Sequence, residues 1–263
     1  MENENFYSRK EIPQAEIERL KNIEYPNFVS ETLLNNLDLE GKKLLDSGAG
    51  SNAGLAEFVA KKKGMYVPID LRTDMLKVMQ SKLEKTDAPF YGIQSDVKAM
   101  PFADKAFDFV HQRFVLMNIP PADRKHALEE LLRVSKEEII LIEYNWRTLK
   151  STENPKMIEE FRNIAFKIFS KFSTDPYMGE KLNDLLEEIS PSLDYSLQSF
   201  KREEDVANTP ELILNLRGFS QIAKNVLADQ DLLEKCEKLI EKLGKTPLKF
   251  SPPEVVTALI KKS

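Results

Sequence analysis

Two short apolar runs that each end in an acid, the first followed by a glycine turn, constrain this chain most strongly. Leu44-Leu45-Asp46-Ser47 runs into Gly48-Ala49-Gly50-Ser51-Asn52, and the second run ends at Ile69-Asp70. Glycine adopts backbone angles closed to other residues and lets a ligand approach the main chain closely. The amides at the start of the next helix point at whatever lies over the turn. The order strand, glycine turn and helix predicts a site for a nucleoside-bearing cofactor.

The region from residue 40 to about 145 alternates short apolar runs with amphipathic helical stretches. This alternation is typical of a parallel sheet with crossover helices, and it indicates a doubly wound α/β fold. The predicted strands are 44–47, 65–70, 90–94, 107–112 and 138–144, and the predicted helices between them are 52–63, 73–85 and 122–134.

The flanking regions have a different character. Two helices, 13–21 and 26–37, are predicted ahead of the α/β core. Behind it the pattern predicts helices at 156–172, 182–189, 210–218 and 229–243, and closing strands at 193–200 and 250–260. We therefore expect four parts: an N-terminal helical cover (1–39), a cofactor-binding core (40–145), a helical lid insertion (146–190), and closing strands with a further helical insertion (191–263).

Composition excludes several classes of function. The formal net charge of -5 argues against a broad nucleic-acid surface, which usually carries a basic surplus. Cys236 is the only cysteine and His111 and His126 are the only histidines, so we expect no metal site. No apolar run approaches the roughly 20 residues that span a bilayer, and the start of the chain is acidic rather than signal-like. The sequence therefore predicts a cytoplasmic protein with no membrane span.

The glycine turn alone fits two classes of enzyme. Gly48-Ala49-Gly50-Ser51-Asn52-Ala53 also matches the fingerprint of a dinucleotide-binding turn, so an NAD(P)-dependent oxidoreductase is one alternative. Asp46, two residues before the first glycine, would repel a pyrophosphate and attract an ammonium group. Asp70 follows where an acid would hold ribose hydroxyls in either class.

Four segments in order carry a family resemblance: 44–50, 68–76, 95–110 and 128–134. With them the chain resembles class I S-adenosylmethionine-dependent methyltransferases, specifically the type 11 small-molecule group that is similar to ubiquinone and menaquinone biosynthesis enzymes. The resemblance implies a Rossmann-like, mostly parallel seven-stranded sheet with an antiparallel closing strand, N-terminal helices and a helical lid. It also implies S-adenosyl-L-methionine as cofactor and methyl transfer to a small-molecule acceptor.

The resemblance assigns one group of residues to the methionine end of the cofactor. Asp46 would face the ammonium group directly or through water, and the backbone of Gly48 and Gly50 would pack beneath the methionine portion. Gln112 and Arg113, at the end of the fourth predicted strand, would line the same end.

A second group is assigned to the nucleoside. Asp70 would accept hydrogen bonds from both ribose hydroxyls, with Leu71 against the adenine. Asp96 would accept from the adenine amino group, and the Val97 amide would reach a ring nitrogen. Asn52 stands where the family commonly has a third glycine or small residue, and we expect it to preserve the turn because asparagine tolerates left-handed angles.

No catalytic residue follows from the sequence. His111 and Glu143 are the candidate bases, but a histidine inside a strand is more often a satisfied core residue, and Glu143 could equally bind an ammonium group or pair with an arginine. Four phenylalanines at helical spacing predict a packed lid rather than a stacking surface: Phe161, Phe166, Phe169 and Phe172. A homodimer, and a relative that binds the cofactor without transferring methyl, stay open.

Overall fold

A single seven-stranded sheet organises the chain. The computed structural model describes residues 6–9, 25–86, 88–205 and 208–262. In chain order the strands are β1 (Lys43–Ser47), β2 (Met65–Asp70), β3 (Ile93–Gln94), β4 (Phe107–Arg113), β5 (Ser135–Asn145), β6 (Asp194–Phe200) and β7 (Glu254–Lys261). Their spatial order is β3-β2-β1-β4-β5-β7-β6.

Eight α-helices connect or flank these strands within the described ranges. They are α1 (Tyr25–Leu34), α2 (Gly54–Lys61), α3 (Thr73–Leu83), α4 (Pro121–Val134), α5 (Pro155–Phe169), α6 (Met178–Ile189), α7 (Thr209–Ile222) and α8 (Gln230–Lys245). Short 3₁₀ turns occupy Phe6–Ser8, Leu116–Asn118 and Trp146–Thr148, and α7 continues into a π-helical turn at Ala223–Leu227.

The strand directions confirm the predicted fold class. β1 pairs in parallel with both β2 and β4, whereas β7 runs antiparallel to both β5 and β6. The chain leaves β1 toward one edge of the sheet and later returns beside β1 with β4. Doubly wound sheets bind their ligands at such a switch point, beyond the carboxyl ends of the strands. The glycine turn after β1 lies at that place.

The two faces of the sheet bury alternate residues of each strand. Leu45, Val110 and Leu141 lie on one face, in the same apolar cluster as buried residues of α4 and α6. Leu44 and Ile142 belong to the opposite cluster, which includes residues of α1, α2 and α3. This alternation follows from the two-residue period of a strand, and it makes the core a helix-sheet-helix sandwich.

A third apolar cluster lies outside the sheet and joins α5, α7 and α8. Phe161 and Phe172 are buried in it, and Phe166 and Phe169 pack against it. Helix α6 instead joins the sheet cluster through Met178, Leu182 and Leu186. The packing thus connects helices on both sides of residue 190, and the four-part division of the chain stays a prediction.

Several element boundaries differ from the sequence-based ones. The third strand, predicted from residue 90, is only Ile93–Gln94, since this edge strand pairs with just the last two residues of β2. The second helix begins at Gly54 rather than at residue 52, because the Asn52 side chain accepts a hydrogen bond from the Gly54 amide. β5 begins at Ser135, directly after α4. The helix predicted at 13–21 lies outside the described residues.

Among the described residues, no helix is both long and apolar enough to cross a bilayer.

Two glycines give opposite predictions for stability. A Cβ on Gly179, in the first turn of α6, would lie 3.1 Å from the backbone carbonyl of Tyr144 in β5 and 3.0 Å from a Val256 methyl group. Gly179→Ala should therefore destabilise the fold by about 1 to 3 kcal/mol through overpacking. Gly244→Ala, in α8 with no atom within 4 Å of the new methyl group, should stabilise it by up to about 1 kcal/mol. Urea unfolding of both variants tests this; equal effects would contradict it.

Candidate functional site

The turn between β1 and α2 uses both glycines at left-handed angles. Gly48 has φ +73° and Gly50 φ +63°. A side chain on Gly48 would overlap a methyl group of Val115, whereas nothing lies within 4 Å of the position a Cβ would take on Gly50. Gly48 is therefore packed from above by protein, and Gly50 faces open space in which a ligand can approach the backbone.

Asp70 ends β2 beside this open space. Its Oδ2 accepts from the Gly50 amide and its Oδ1 from the Arg72 amide, each at 2.8 Å. Burial raises the pKa of Asp70 to about 6, although these two amides act in the opposite direction. An ionised carboxylate has about four acceptor positions, so two amides leave capacity for the hydroxyls of a ligand.

Leu71, Asp96 and Val97 lie at the same end of the sheet. The Ser95 amide donates to the backbone carbonyl of Asp70 at 3.0 Å, which brings the loop after β3 against the end of β2. Asp96 is part-exposed and accepts from the Lys98 amide at 2.9 Å. Leu71 is 38% exposed, unusual for a leucine, while the Val97 side chain is buried. The predicted nucleoside residues are thus brought together.

Asp46 occupies a different environment, sealed inside the sheet. It is 5% exposed, and its two oxygens accept from Tyr66 Oη at 2.5 Å and contact His111 Nδ1 at 2.7 Å. Burial alone would raise the pKa of Asp46, but His111, the Tyr66 hydroxyl and the charge of Arg113 outweigh it and hold the pKa below its usual value. A direct ammonium contact would have to share these oxygens, so that role of Asp46 stays a prediction.

His111 continues this buried network toward α1. The parallel register of β1 and β4 places it opposite Asp46. Its Nε2 lies 3.0 Å from the hydroxyl of Ser30. Both ring nitrogens are thereby engaged in the interior, which is the arrangement of a satisfied core histidine rather than of a base open to substrate.

Arg113 ends β4 above the same network. Its guanidinium donates to Asn27 Oδ1 at 2.7 Å and more weakly to Ser30 Oγ at 3.4 Å. Burial lowers the pKa of Arg113, and within the described residues no carboxylate lies within ion-pair distance of it. A cation without an ion-pair partner at the switch point is able to attract an anionic ligand group.

Asn52 preserves the turn in another way than we expected. Asn52 is not among the described residues with left-handed angles, so its tolerance of such angles is not what preserves the turn. Its side-chain oxygen caps the Gly54 amide at 2.9 Å, and its amide nitrogen donates to Asn27 of α1. Through these two hydrogen bonds the Asn52 side chain joins the start of α1 to the start of α2. The backbone preferences of asparagine do not predict such a contact.

Gln112 is buried beneath the turn. Its Nε2 donates to Ser47 Oγ at 3.2 Å, and its Oε1 has no hydrogen-bond partner in the described part of the chain. The residue therefore supports the strand ends from inside, and its predicted contact with the methionine end is not yet tested.

Glu143 is buried on the face of β5 that bears the 3₁₀ turn Leu116–Asn118. Its Oε1 accepts from the Leu116 amide at 2.8 Å. Burial raises the pKa of Glu143 to about 8, against the effect of the neighbouring amides and of Arg124. The carboxyl group holds the segment after β4 in place through this amide.

Four residues of the site escaped the sequence analysis. Tyr66, Ser30, Asn27 and Val115 contact Asp46, His111, Arg113 and Gly48, respectively. None of them carries a motif. Only the strand register and the docking of α1 on the sheet bring them to these positions.

Comparisons with known proteins agree with the resemblance. Residues 45–142 match the family model described as "Methyltransferase domain". A demethylmenaquinone methyltransferase of Renibacterium salmoninarum is 36% identical over 147 residues, which are 54% of this chain and 59% of the relative. The chain thus spans less than two thirds of the length of this relative.

Solved structures share the fold. Phosphoethanolamine N-methyltransferase 2 of Haemonchus contortus, solved with S-adenosyl-L-methionine, superposes with a TM-score of 0.61 at 15% identity and covers 100% of this chain and 60% of its own. The YcgJ protein of Bacillus subtilis gives a TM-score of 0.59 at 15% identity, over 90% of this chain and 99% of its own. The predicted resemblance is confirmed.

Glu143→Gln tests the buried carboxyl group. Because the folded-state pKa of about 8 lies above the unfolded value, the stability linked to Glu143 is fully present below the unfolded pKa and is lost as pH rises through about 8. The Gln variant should therefore show a shallower fall in the free energy of unfolding over this window. Denaturant titrations across pH measure it, with exposed Glu188→Gln as control. Equal slopes in wild type and Glu143→Gln would contradict the assignment.

Proposed function

We propose that the chain is an S-adenosylmethionine-dependent methyltransferase acting on a small-molecule acceptor, on the premise that residues 45–142 match the family model of a methyltransferase domain. The observation that carries the proposal is the open space over Gly50, bordered by the Asp70 carboxylate and by exposed Leu71. A nucleoside needs such a combination: backbone to lie on, an acceptor pair for its hydroxyls and an apolar contact for its base.

Four residues contact the nucleoside part of the cofactor in this proposal. Asp70 accepts hydrogen bonds from the two ribose hydroxyls, and Leu71 packs against the adenine. Asp96 accepts a hydrogen bond from the adenine amino group, and the Val97 amide donates to a ring nitrogen. The part-exposed position of Asp96 and its link to β2 through Ser95 support this assignment.

The methionine portion lies over Gly48 and Gly50 in the proposal. Arg113 supplies a positive charge for the carboxylate group, and the proposed role of Gln112 at this end is to support the strand beneath it. Asp46 contacts His111 in the interior and acts on the ammonium group through water. The lack of an ion-pair partner for Arg113 within the described residues supports its role.

When bound, the sulfonium group supplies an electrophilic methyl group with a neutral thioether as leaving group. The protein's contribution is alignment of the acceptor and exclusion of water, which can account for most of the acceleration in such a displacement. Both ring nitrogens of His111 and one oxygen of Glu143 are engaged in the interior, so we assign neither as a base. An acceptor that loses a proton releases it to solvent in this scheme.

The other properties remain predictions from composition. The net charge of -5 favours a chain without a nucleic-acid partner. A cytoplasmic location and a homodimer are compatible with the sequence. The relative from Renibacterium salmoninarum bears a name that refers to demethylmenaquinone, which supports a small organic molecule as acceptor for this chain.

Calorimetry with three ligands tests the cofactor. We expect S-adenosylmethionine and S-adenosylhomocysteine to bind and NADH to give no heat, because a pyrophosphate would lie near the Asp46 carboxylate. Tight binding of NADH without binding of either sulfur-containing ligand would contradict the proposal and favour an oxidoreductase. Binding of S-adenosylmethionine without turnover of any acceptor would favour the non-methylating relative.

Asp70 should make cofactor binding dependent on pH. Since burial raises its pKa to about 6, the ionised form that accepts both hydroxyls is lost as pH falls through this value, and the Kd for S-adenosylhomocysteine should rise. Asp70→Asn should weaken binding by about 2 kcal/mol, roughly thirtyfold, and remove this pH dependence. Asp108→Asn, at the opposite end of β4, is the control. A Kd of the Asn variant equal to that of wild type would remove Asp70 from the site.

Gly50→Ala and Gly41→Ala form a matched pair. Both glycines have left-handed angles, φ +63° and +70°, with nothing within 4 Å of a new methyl group, so each should lose about 1 to 2 kcal/mol of stability. Only the Gly50 methyl group would occupy the proposed cofactor space, and it should weaken S-adenosylhomocysteine binding by about tenfold or more. Equal cofactor affinity of the two variants would place the cofactor elsewhere.

A further inference from the structure

The segment between β4 and α4 contains a strained residue next to the glycine turn. Phe114 has φ +57°, a left-handed conformation that residues with a side chain rarely adopt. Its amide donates to the Ile142 carbonyl of β5 at 2.8 Å. Val115, which follows, packs on Gly48. Such strain persists only where the surrounding structure enforces it, so the contacts that hold Phe114 also hold Val115 on the glycine turn.

Asn118 connects this strained residue to a distant loop. Its Nδ2 donates to the Phe114 carbonyl at 2.8 Å, and its Oδ1 accepts from the Thr174 hydroxyl at 3.0 Å. Thr174 lies in the loop between α5 and α6, 56 positions further along the chain. A single side chain therefore links the conformation of Phe114 to the position of that loop.

Two further contacts fix the same loop to the segment between β4 and α4. The Asp175 amide donates to the Met117 carbonyl at 2.7 Å. The Asp175 carboxylate pairs with Arg124 of α4 at 3.0 Å, and both side chains are nearly buried. Separating a buried ion pair is costly because it leaves each charge without its partner. We call these two contacts, together with the hydrogen bond between Asn118 and Thr174, the junction.

The loop is also anchored in the outer helices α5, α7 and α8. Phe172 is buried in the apolar cluster that joins these three helices. Ser173, the next residue, has φ +55°, so the backbone is strained on this side of the junction as well. A displacement of the outer helices is therefore transmitted through Phe172 to the junction, and loss of the junction allows the strained residues on both sides to relax.

Resting on the proposed function, we propose that Asn118 is a positioning residue that couples the outer helices to cofactor binding. The junction keeps Phe114 left-handed, and Phe114 keeps Val115 on Gly48, beneath the proposed methionine portion. The coupling is reciprocal, because a contact that favours cofactor binding is itself favoured by the bound cofactor. S-adenosylhomocysteine therefore stabilises the junction, and loss of the junction weakens the binding of S-adenosylhomocysteine.

Calorimetry with S-adenosylhomocysteine on variants of the full chain tests the coupling. Thr174→Val removes the hydroxyl that donates to Asn118 and should raise the Kd about fivefold, the equivalent of one hydrogen bond. Thr174→Ser restores the donor and should bind as the wild type does. Ser170→Ala, which removes a hydroxyl hydrogen bond to the Lys167 carbonyl at the end of α5, is the matched control. Equal Kd values for Thr174→Val and Ser170→Ala overturn the proposal.

A double variant tests whether Asn118 and Thr174 act through one connection. Asn118→Ala removes both hydrogen bonds of the side chain and should raise the Kd for S-adenosylhomocysteine about fivefold or more. Because the effect of Thr174 passes through Asn118, adding Thr174→Val to Asn118→Ala should weaken binding no further. A double variant that binds about fivefold more weakly than Asn118→Ala alone would show independent effects, and it overturns the assignment of Asn118.

Hydrogen exchange on the wild-type chain covers the case of a variant that does not fold. The Asp175 amide reports the junction, because it donates to the Met117 carbonyl. Saturating S-adenosylhomocysteine should slow the exchange of this amide about fivefold, the factor that reciprocity requires. The Leu232 amide, hydrogen-bonded to Asp229 at the start of α8, is the control. Equal slowing of the Asp175 and Leu232 amides, or no slowing of either, overturns the proposal.

The coupling and the proposed function fail in different ways. If S-adenosylhomocysteine gives no heat of binding with the wild-type chain, the proposed cofactor is refuted, and the coupling with it. If S-adenosylhomocysteine binds but leaves the exchange of the Asp175 amide unchanged, only the coupling is refuted.

Discussion

The buried carboxylate of Asp46 joins three adjacent strands, β2, β1 and β4, and the geometry of the switch point depends on it. One oxygen accepts from Tyr66 of β2 and the other contacts His111 of β4. Through His111 the network reaches Ser30 of α1. An isolated charge is costly to bury unless it is hydrogen-bonded, so these partners must stay together. The strand ends, and the glycine turn that follows β1, are thereby fixed relative to one another.

This arrangement separates two kinds of acid at the end of the sheet. Asp46 faces inward and serves the fold, whereas Asp70 holds the turn through the Gly50 amide and keeps acceptor capacity beside the open space. Glu143 belongs with Asp46, because it binds the Leu116 amide inside the protein. Acidic residues at neighbouring strand ends therefore differ in role according to which side of the turn their side chains face.

Much of the core was predictable because its signals are local. Strand and helix patterns in residues 43–145 follow from the periodicity of apolar residues, and the left-handed angles of Gly48 and Gly50 follow from glycine in a tight turn. How Asn52 preserves the turn could not be predicted, because its side chain hydrogen-bonds to Asn27, 25 positions away. The third strand was predicted too long because pairing at a sheet edge depends on its neighbour, and β2 offers only Ile69 and Asp70.

The sequence by itself determined the order of strands, turns and helices, the two glycines and the acids at the ends of β1 and β2. These depend on backbone preferences and on apolar periodicity, which act over a few residues. The tertiary structure alone decided that Asp46 faces His111 and that α1 supplies Ser30 and Asn27. Contacts between distant segments depend on strand register and helix docking, and no local pattern in the chain encodes which side chains then meet.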